Sequence, residues 1–225
     1  MWRKTHSEMP LDERGKANKT MRSAGRKKIL AKRKLSDIMK GIKHNENGGI
    51  WMNTLDAIAK RVSVRAFQPG QISEEELEII LKAGSAAPVA SAKYDSMHFT
   101  VVQNQEVLKQ IMDAASDFLS KISGQRKSMD FGAGTFVLLS GAPSMVPGME
   151  YASAGCVMEN MLLAATSLGI DNIVWAVAAA VIGQSEELKQ RLGIPEGFNP
   201  LLCASFGRAV NEEAAKEHMI SVNRV

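Results

Sequence analysis

Residues 61–65 read Arg61-Val62-Ser63-Val64-Arg65, and a capped helix signal, Ser73-Glu74-Glu75-Glu76, and the turn Ala87-Pro88-Val89 follow it. Polar groups at alternate positions project from one side of an extended segment, or bracket a helix end, so two guanidiniums and a hydroxyl can converge on one anion. Guanidinium forks match phosphate oxygens bidentately, and a small hydroxyl between them donates without blocking access. The stretch is a candidate phosphate clamp. Charges at alternate positions also describe a plain solvated face, and the surroundings decide between the two.

Before the clamp, Met52 to about Lys60 carries Leu55, Ile58, Ala59 and Val62 at helical spacing. After it, Ser73 and Glu76 form a capping box in front of Leu77, Ile80 and Leu81, which predicts a helix ending near Gly84. Pro88 stops continuation, and the small residues around it allow backbone to approach something flat or bulky. Met97–Val102 is β-branched and aromatic, hence a strand, and Asn104 caps a helix bearing Val107, Leu108, Ile111 and Met112. A second strand is expected over Thr135–Ser140, a third over Asn172–Val177 and a fourth over Pro200–Phe206, with a short Ser185-capped helix between the last two. The longest helix, Tyr151 to Leu168, is small and apolar nearly all round, so it should be buried on all sides or shared between subunits. Helices and strands alternate, which makes the class α/β or α+β rather than all-α.

The formal charge of +4 conceals an asymmetry. Residues 1–51 hold 14 Lys+Arg against 5 Asp+Glu, a net of +9, whereas 52–225 hold 14 against 19, a net of −5. The basic segment lacks aromatic residues interleaved with its charges, so it reads as a disordered or weakly helical extension, and nucleic acid is an unlikely partner. Met52 opens a clean helical pattern after Gly48-Gly49-Ile50-Trp51, which points to Met52 as the true start. The expected organisation is an extension over 1–51 and one domain over 52–225. No signal-peptide pattern and no run of roughly 18 apolar residues is present, so a cytoplasmic protein without membrane attachment is expected. Cys156 and Cys203 lie in apolar stretches without CxxC spacing and read as buried thiols rather than disulfide or metal ligands.

The order of these features resembles the nitroreductase family of FMN-dependent oxidoreductases over Met52 to Val225. The resemblance is carried by R-x-S-x-R after a helix, a capped helix ending in Ala86-Ala87-Pro88, a long Ala-rich helix closing in Leu168-Gly169-Ile170, and Leu192-Gly193-Ile194-Pro195-Glu196-Gly197 before a strand ending in Gly207. It implies an α+β nitroreductase-like fold, with a central, mostly antiparallel sheet flanked by helices, in an intertwined homodimer with FMN at the interface. By motif match Arg61, Ser63 and Arg65, with Val62 among them, would hold the FMN phosphate and ribityl chain, helped by Arg208, Lys216 and His218. Pro88, Val89, Ala90 and Ser91 would line the flavin from the second subunit. The strand Val174-Trp175-Ala176-Val177 would lie along the isoalloxazine, with a backbone N–H near Ala176 or Val177 directed at N5. Two departures stand out: Ala92, Lys93, Tyr94 and Asp95 replace a stretch where relatives often place Asn and Gln against the flavin, and Ala176 stands where many place an acid.

The chemistry implied belongs to the cofactor: NADH or NADPH delivers hydride to flavin N5, leaves, and a nitroaromatic, quinone or similar small acceptor takes its place. No catalytic side chain and no metal is expected. The only histidines of the body, His98 and His218, support no nucleophilic constellation. The alternative is a flavin-binding module without NAD(P)H turnover, which the altered 92–95 stretch motivates.

Overall fold

The computed structural model describes residues 52–215 and 218–225. The basic extension and Lys216 therefore lie outside the described residues. Helix α1 (Thr54–Lys60) starts where the Asn53 side chain accepts from the Asp56 N–H at 3.0 Å. Helix α2 (Glu74–Ser85) has the expected reciprocal cap: Ser73 N–H donates to Glu76 Oε2 at 2.8 Å and Glu76 N–H to Ser73 Oγ at 3.2 Å. Two short 3₁₀ turns, Ala90–Ala92 and Tyr94–Ser96, lead into β1 (Met97–Val102). Then come α3 (Gln105–Ser123), capped by Asn104, β2 (Thr135–Gly141), α4 (Met149–Ser167) and β3 (Asp171–Trp175). Helices α5 (Ala176–Gln184) and α6 (Glu186–Arg191) precede β4 (Asn199–Gly207).

The four strands form one antiparallel sheet in the order β1-β2-β4-β3. Every residue of the central strand β2 is buried, so both sheet faces are covered. Because side chains alternate across a strand, Phe136 and Leu138 enter a core with α3, α5 and α6, while Val137 and Leu139 enter a second core with α2 and α4. Each fully buried side chain of this kind contributes about 1.5–3 kcal/mol. Helices α2 and α4 pack closely because Gly84 has no side chain: a Cβ there would lie 2.7 Å from Met161 Cγ.

Two expectations change. The third strand stops at Trp175, and Ala176-Val177 opens α5 instead of continuing it. Alanine favours helix, and the strand pairing with β4 already ends at Trp175 opposite Cys203. Helix α4 is not buried all round within one chain: Ala154, Val157, Met158, Met161 and Leu162 are buried, but Tyr151, Ala152, Gly155, Cys156 and Glu159 are exposed. Cys156 is thus an exposed thiol, whereas Cys203 is buried and burial pushes its pKa well above the ordinary cysteine value. Among the described residues no helix is long and apolar enough to cross a membrane.

Candidate functional site

The clamp segment leaves α1 in extended form and runs beside β3, the edge strand of the sheet. Val64 N–H donates to the Asn172 carbonyl at 3.1 Å, and Ser63 forms a parallel bridge with Asn172. Val64 is buried, Ser63 half-buried and Arg65 exposed, so the valine anchors the segment while the polar groups stay accessible. Arg65 Nη1 donates to the Ser63 carbonyl at 3.2 Å. Further along, Val210 N–H donates to Ala66 O at 3.0 Å and Gln68 N–H to Arg208 O at 2.7 Å, which fastens the segment to the end of β4.

Asn172 is the polar pivot of this region. Its side chain is buried, and Nδ2 donates to Leu162 O (3.2 Å), Thr166 Oγ1 (3.1 Å) and Ile170 O (3.4 Å), which ties β3 to the end of α4. Its Oδ1 is buried without a partner. Beside this pivot, Lys60, Arg61, Val62, Thr166, Gly169 and Asp171 help to line a cavity of about 230 Å³. Arg61 forms no salt bridge among the described residues. Three carboxylates, Asp171, Glu212 and Glu213, line the same cavity, and Asp171 Oδ2 accepts from Ala209 N–H at 2.8 Å. The Arg61 guanidinium and the Lys60 ammonium are the groups here suited to a phosphate, whereas Ser63 and Arg65 of the clamp segment are not among the lining residues and the Thr166 hydroxyl donates to Leu162 O at 2.9 Å.

Arg208 is engaged elsewhere. Its Nη2 pairs with Glu76 Oε1 at 2.6 Å and its Nη1 donates to the Gly169 carbonyl, so it links the cap of α2 to the turn after α4. His218 lies exposed in the C-terminal segment. Val174 is partly exposed, but Trp175 points into the core, where Nε1 donates to Ser205 Oγ at 2.8 Å and the ring lies 5.0 Å from that of Phe131. Ala176 is exposed and Val177 half-buried in the first turn of α5, where helical N–H groups have no intrahelical acceptor.

Pro88, Val89, Ala90 and Ser91 stand apart from the clamp cavity. Val89, Ala90 and Ser91 line a second cavity of about 270 Å³ together with the 142–149 loop. Ala90 N–H donates to Ser153 Oγ at 3.0 Å, which anchors this turn to α4. The backbone there is strained: Ser91 and Ala92 have φ of 55° and 54°, the left-handed region that non-glycine residues avoid. Sequence reasoning missed Lys60, Asn172 and Ser153. Lys60 adjoins the clamp and Asn172 is the polar residue in an apolar strand, so both left a trace; Ser153 left none.

A profile of the Nitroreductase family matches residues 58–208. A curated protein of Archaeoglobus fulgidus, provisionally named NADH dehydrogenase/NAD(P)H nitroreductase, is 32% identical over 162 residues, 71% of this chain and 87% of the relative. Among solved structures, a nitroreductase with bound FMN from Desulfitobacterium hafniense is 26% identical with a TM-score of 0.68, covering 77% of this chain and 100% of the other. A second, from Bacteroides fragilis and also with bound FMN, is 27% identical with a TM-score of 0.65, covering 77% and 97%.

Proposed function

The chain belongs to the nitroreductase family, and from that premise we propose that it is an FMN-dependent oxidoreductase that passes reducing equivalents from NADH or NADPH to a nitroaromatic, quinone or similar small acceptor. The observation that carries the reading is the extended Arg61–Arg65 segment, pinned to β3 through Val64 and Asn172, with Arg61, which forms no salt bridge among the described residues, at a cavity. When bound, FMN would supply the hydride chemistry, taking two electrons from the nicotinamide and returning them to the acceptor.

The chain's own residues bind and orient. Arg61 and Ser63 would grip the phosphate, with Arg65 beside them and Lys60 adding charge; Arg208, held by Glu76, steadies the adjoining turn. A backbone N–H of Ala176 or Val177, unsatisfied in the first turn of α5, would donate to the ring near N5. Pro88, Val89, Ala90 and Ser91 would border the flavin from a second subunit, and the exposed small-residue face of α4 around Gly155 supports a homodimer that covers it. Lys216 and His218 retain a proposed part at the phosphate. We place the protein in the cytoplasm, as one domain over 52–225 with a basic extension before it.

Anaerobic titration of the purified protein tests this: NADH or NADPH should bleach the flavin absorbance. Protein that stays colourless after FMN addition contradicts the proposal. The altered 92–95 stretch, which joins the two 3₁₀ turns through Lys93, favours a second reading as a flavin-binding module, which predicts yellow protein that neither nicotinamide bleaches.

A further inference from the structure

The second cavity has a chemistry of its own. Its apolar wall is built from Val89, Met97, Met145, Val146 and Met149, and among the described residues Lys93 is the one ionisable side chain lining it. Methionine side chains are flexible and polarisable, so three of them together adapt to flat aromatic faces of differing outline. Both walls are fastened to the start of α4: Ala90 N–H donates to Ser153 Oγ (3.0 Å), Ser153 Oγ to Met149 O (2.8 Å), and Ser144 N–H to Glu150 Oε2 (3.3 Å). Of the consecutive left-handed residues Ser91 and Ala92, Ser91 lines the same cavity. Strain of this kind persists only where surrounding structure holds it, and it clusters at ligand clamps.

We propose that this cavity docks the electron acceptor and selects flat aromatic acceptors that carry an anionic substituent. The ring lies on the methionine wall and the anionic group meets Lys93, while the Glu150 carboxylate beside that wall is engaged by Ser144 N–H. The inference rests on the oxidoreductase reading, in which the 88–91 turn borders the flavin. For a nitroarene the balanced reaction is ArNO2 + NAD(P)H + H⁺ → ArNO + NAD(P)⁺ + H2O, in which the nicotinamide is oxidised by two electrons and one nitro oxygen leaves as water.

The test uses full-length, FMN-loaded, oxidised protein without nicotinamide, titrated calorimetrically with 4-nitrobenzoate and with its neutral methyl ester. The anion should bind more tightly than the ester at low salt. Lys93→Glu should weaken the anion about tenfold and the ester far less, a difference that salt should diminish. Equal binding of the two probes, loss of both alike in the variant, or binding of neither overturns the proposal. Anaerobic bleaching of the wild-type flavin by NADH or NADPH separates the two readings: normal bleaching with charge-blind binding overturns the acceptor site alone, and failure to bleach overturns the oxidoreductase reading with it.

Discussion

Replacing Asn172 by alanine removes the amide that joins β3 to the end of α4 and leaves the clamp segment hydrogen-bonded to a strand that has lost its tether. The side chain is 1% exposed, and its Nδ2 serves three acceptors at 3.1–3.4 Å. Each neutral hydrogen bond contributes about 0.5–1.5 kcal/mol net. The loss is softened because Leu162 O still accepts from Thr166 Oγ1 at 2.9 Å and because the unpartnered Oδ1 disappears with the side chain. With a small cavity left behind, the net cost is about 2–3 kcal/mol. Asn172→Asp should cost more, since a carboxylate would face carbonyl oxygens without a cation inside the core. Urea denaturation of FMN-stripped protein reads the stability, and fluorescence titration with FMN reads the clamp. An Asn172→Ala protein within about 0.5 kcal/mol of wild type, where ordinary surface substitutions fall, would refute the reasoning.

Two further outcomes follow from single contacts. Ser205→Ala leaves the buried indole N–H of Trp175 without its 2.8 Å acceptor and should lower stability by about 1–3 kcal/mol in denaturant melts; Trp175→Phe combined with it should add little beyond the Trp175→Phe change alone, because the orphaned donor is gone. The Glu150 carboxylate accepts from its own backbone N–H and from Ser144, which holds its pKa below the ordinary value of 4.5. A depressed folded pKa stabilises the native loop above the ordinary value and loses that contribution as pH falls through the folded one. The Ser144 amide resonance should therefore titrate with a midpoint below 4.5, and a midpoint at or above it contradicts the contact.

Local signals carried much of the fold. The Ser73–Glu76 capping box, the Asn104 cap and the bounds of β1 are visible because each is settled by residues a few positions apart. Helix α5 was hidden: Ala176–Ile182 is apolar throughout, without a helical period to distinguish it from strand, and its N-cap, Trp175, makes no side-chain capping bond. The exposure of Cys156 was hidden for a related reason, since small residues on both faces of α4 leave no polar stripe to mark the open side. At the site, Arg61, Ser63 and Arg65 were legible from alternation. The pairing of Arg208 with Glu76, 132 residues away, is a tertiary contact that no local pattern announces.

The central claim is that the 61–65 segment holds the phosphate of FMN, and FMN affinity in the triple variant Arg61→Ala/Ser63→Ala/Arg65→Ala tests it most directly. Bonds to charged groups contribute about 1.5–3 kcal/mol each, so the dissociation constant should rise at least about a hundredfold while circular dichroism stays native. A folded triple variant that retains FMN with wild-type affinity would contradict the account.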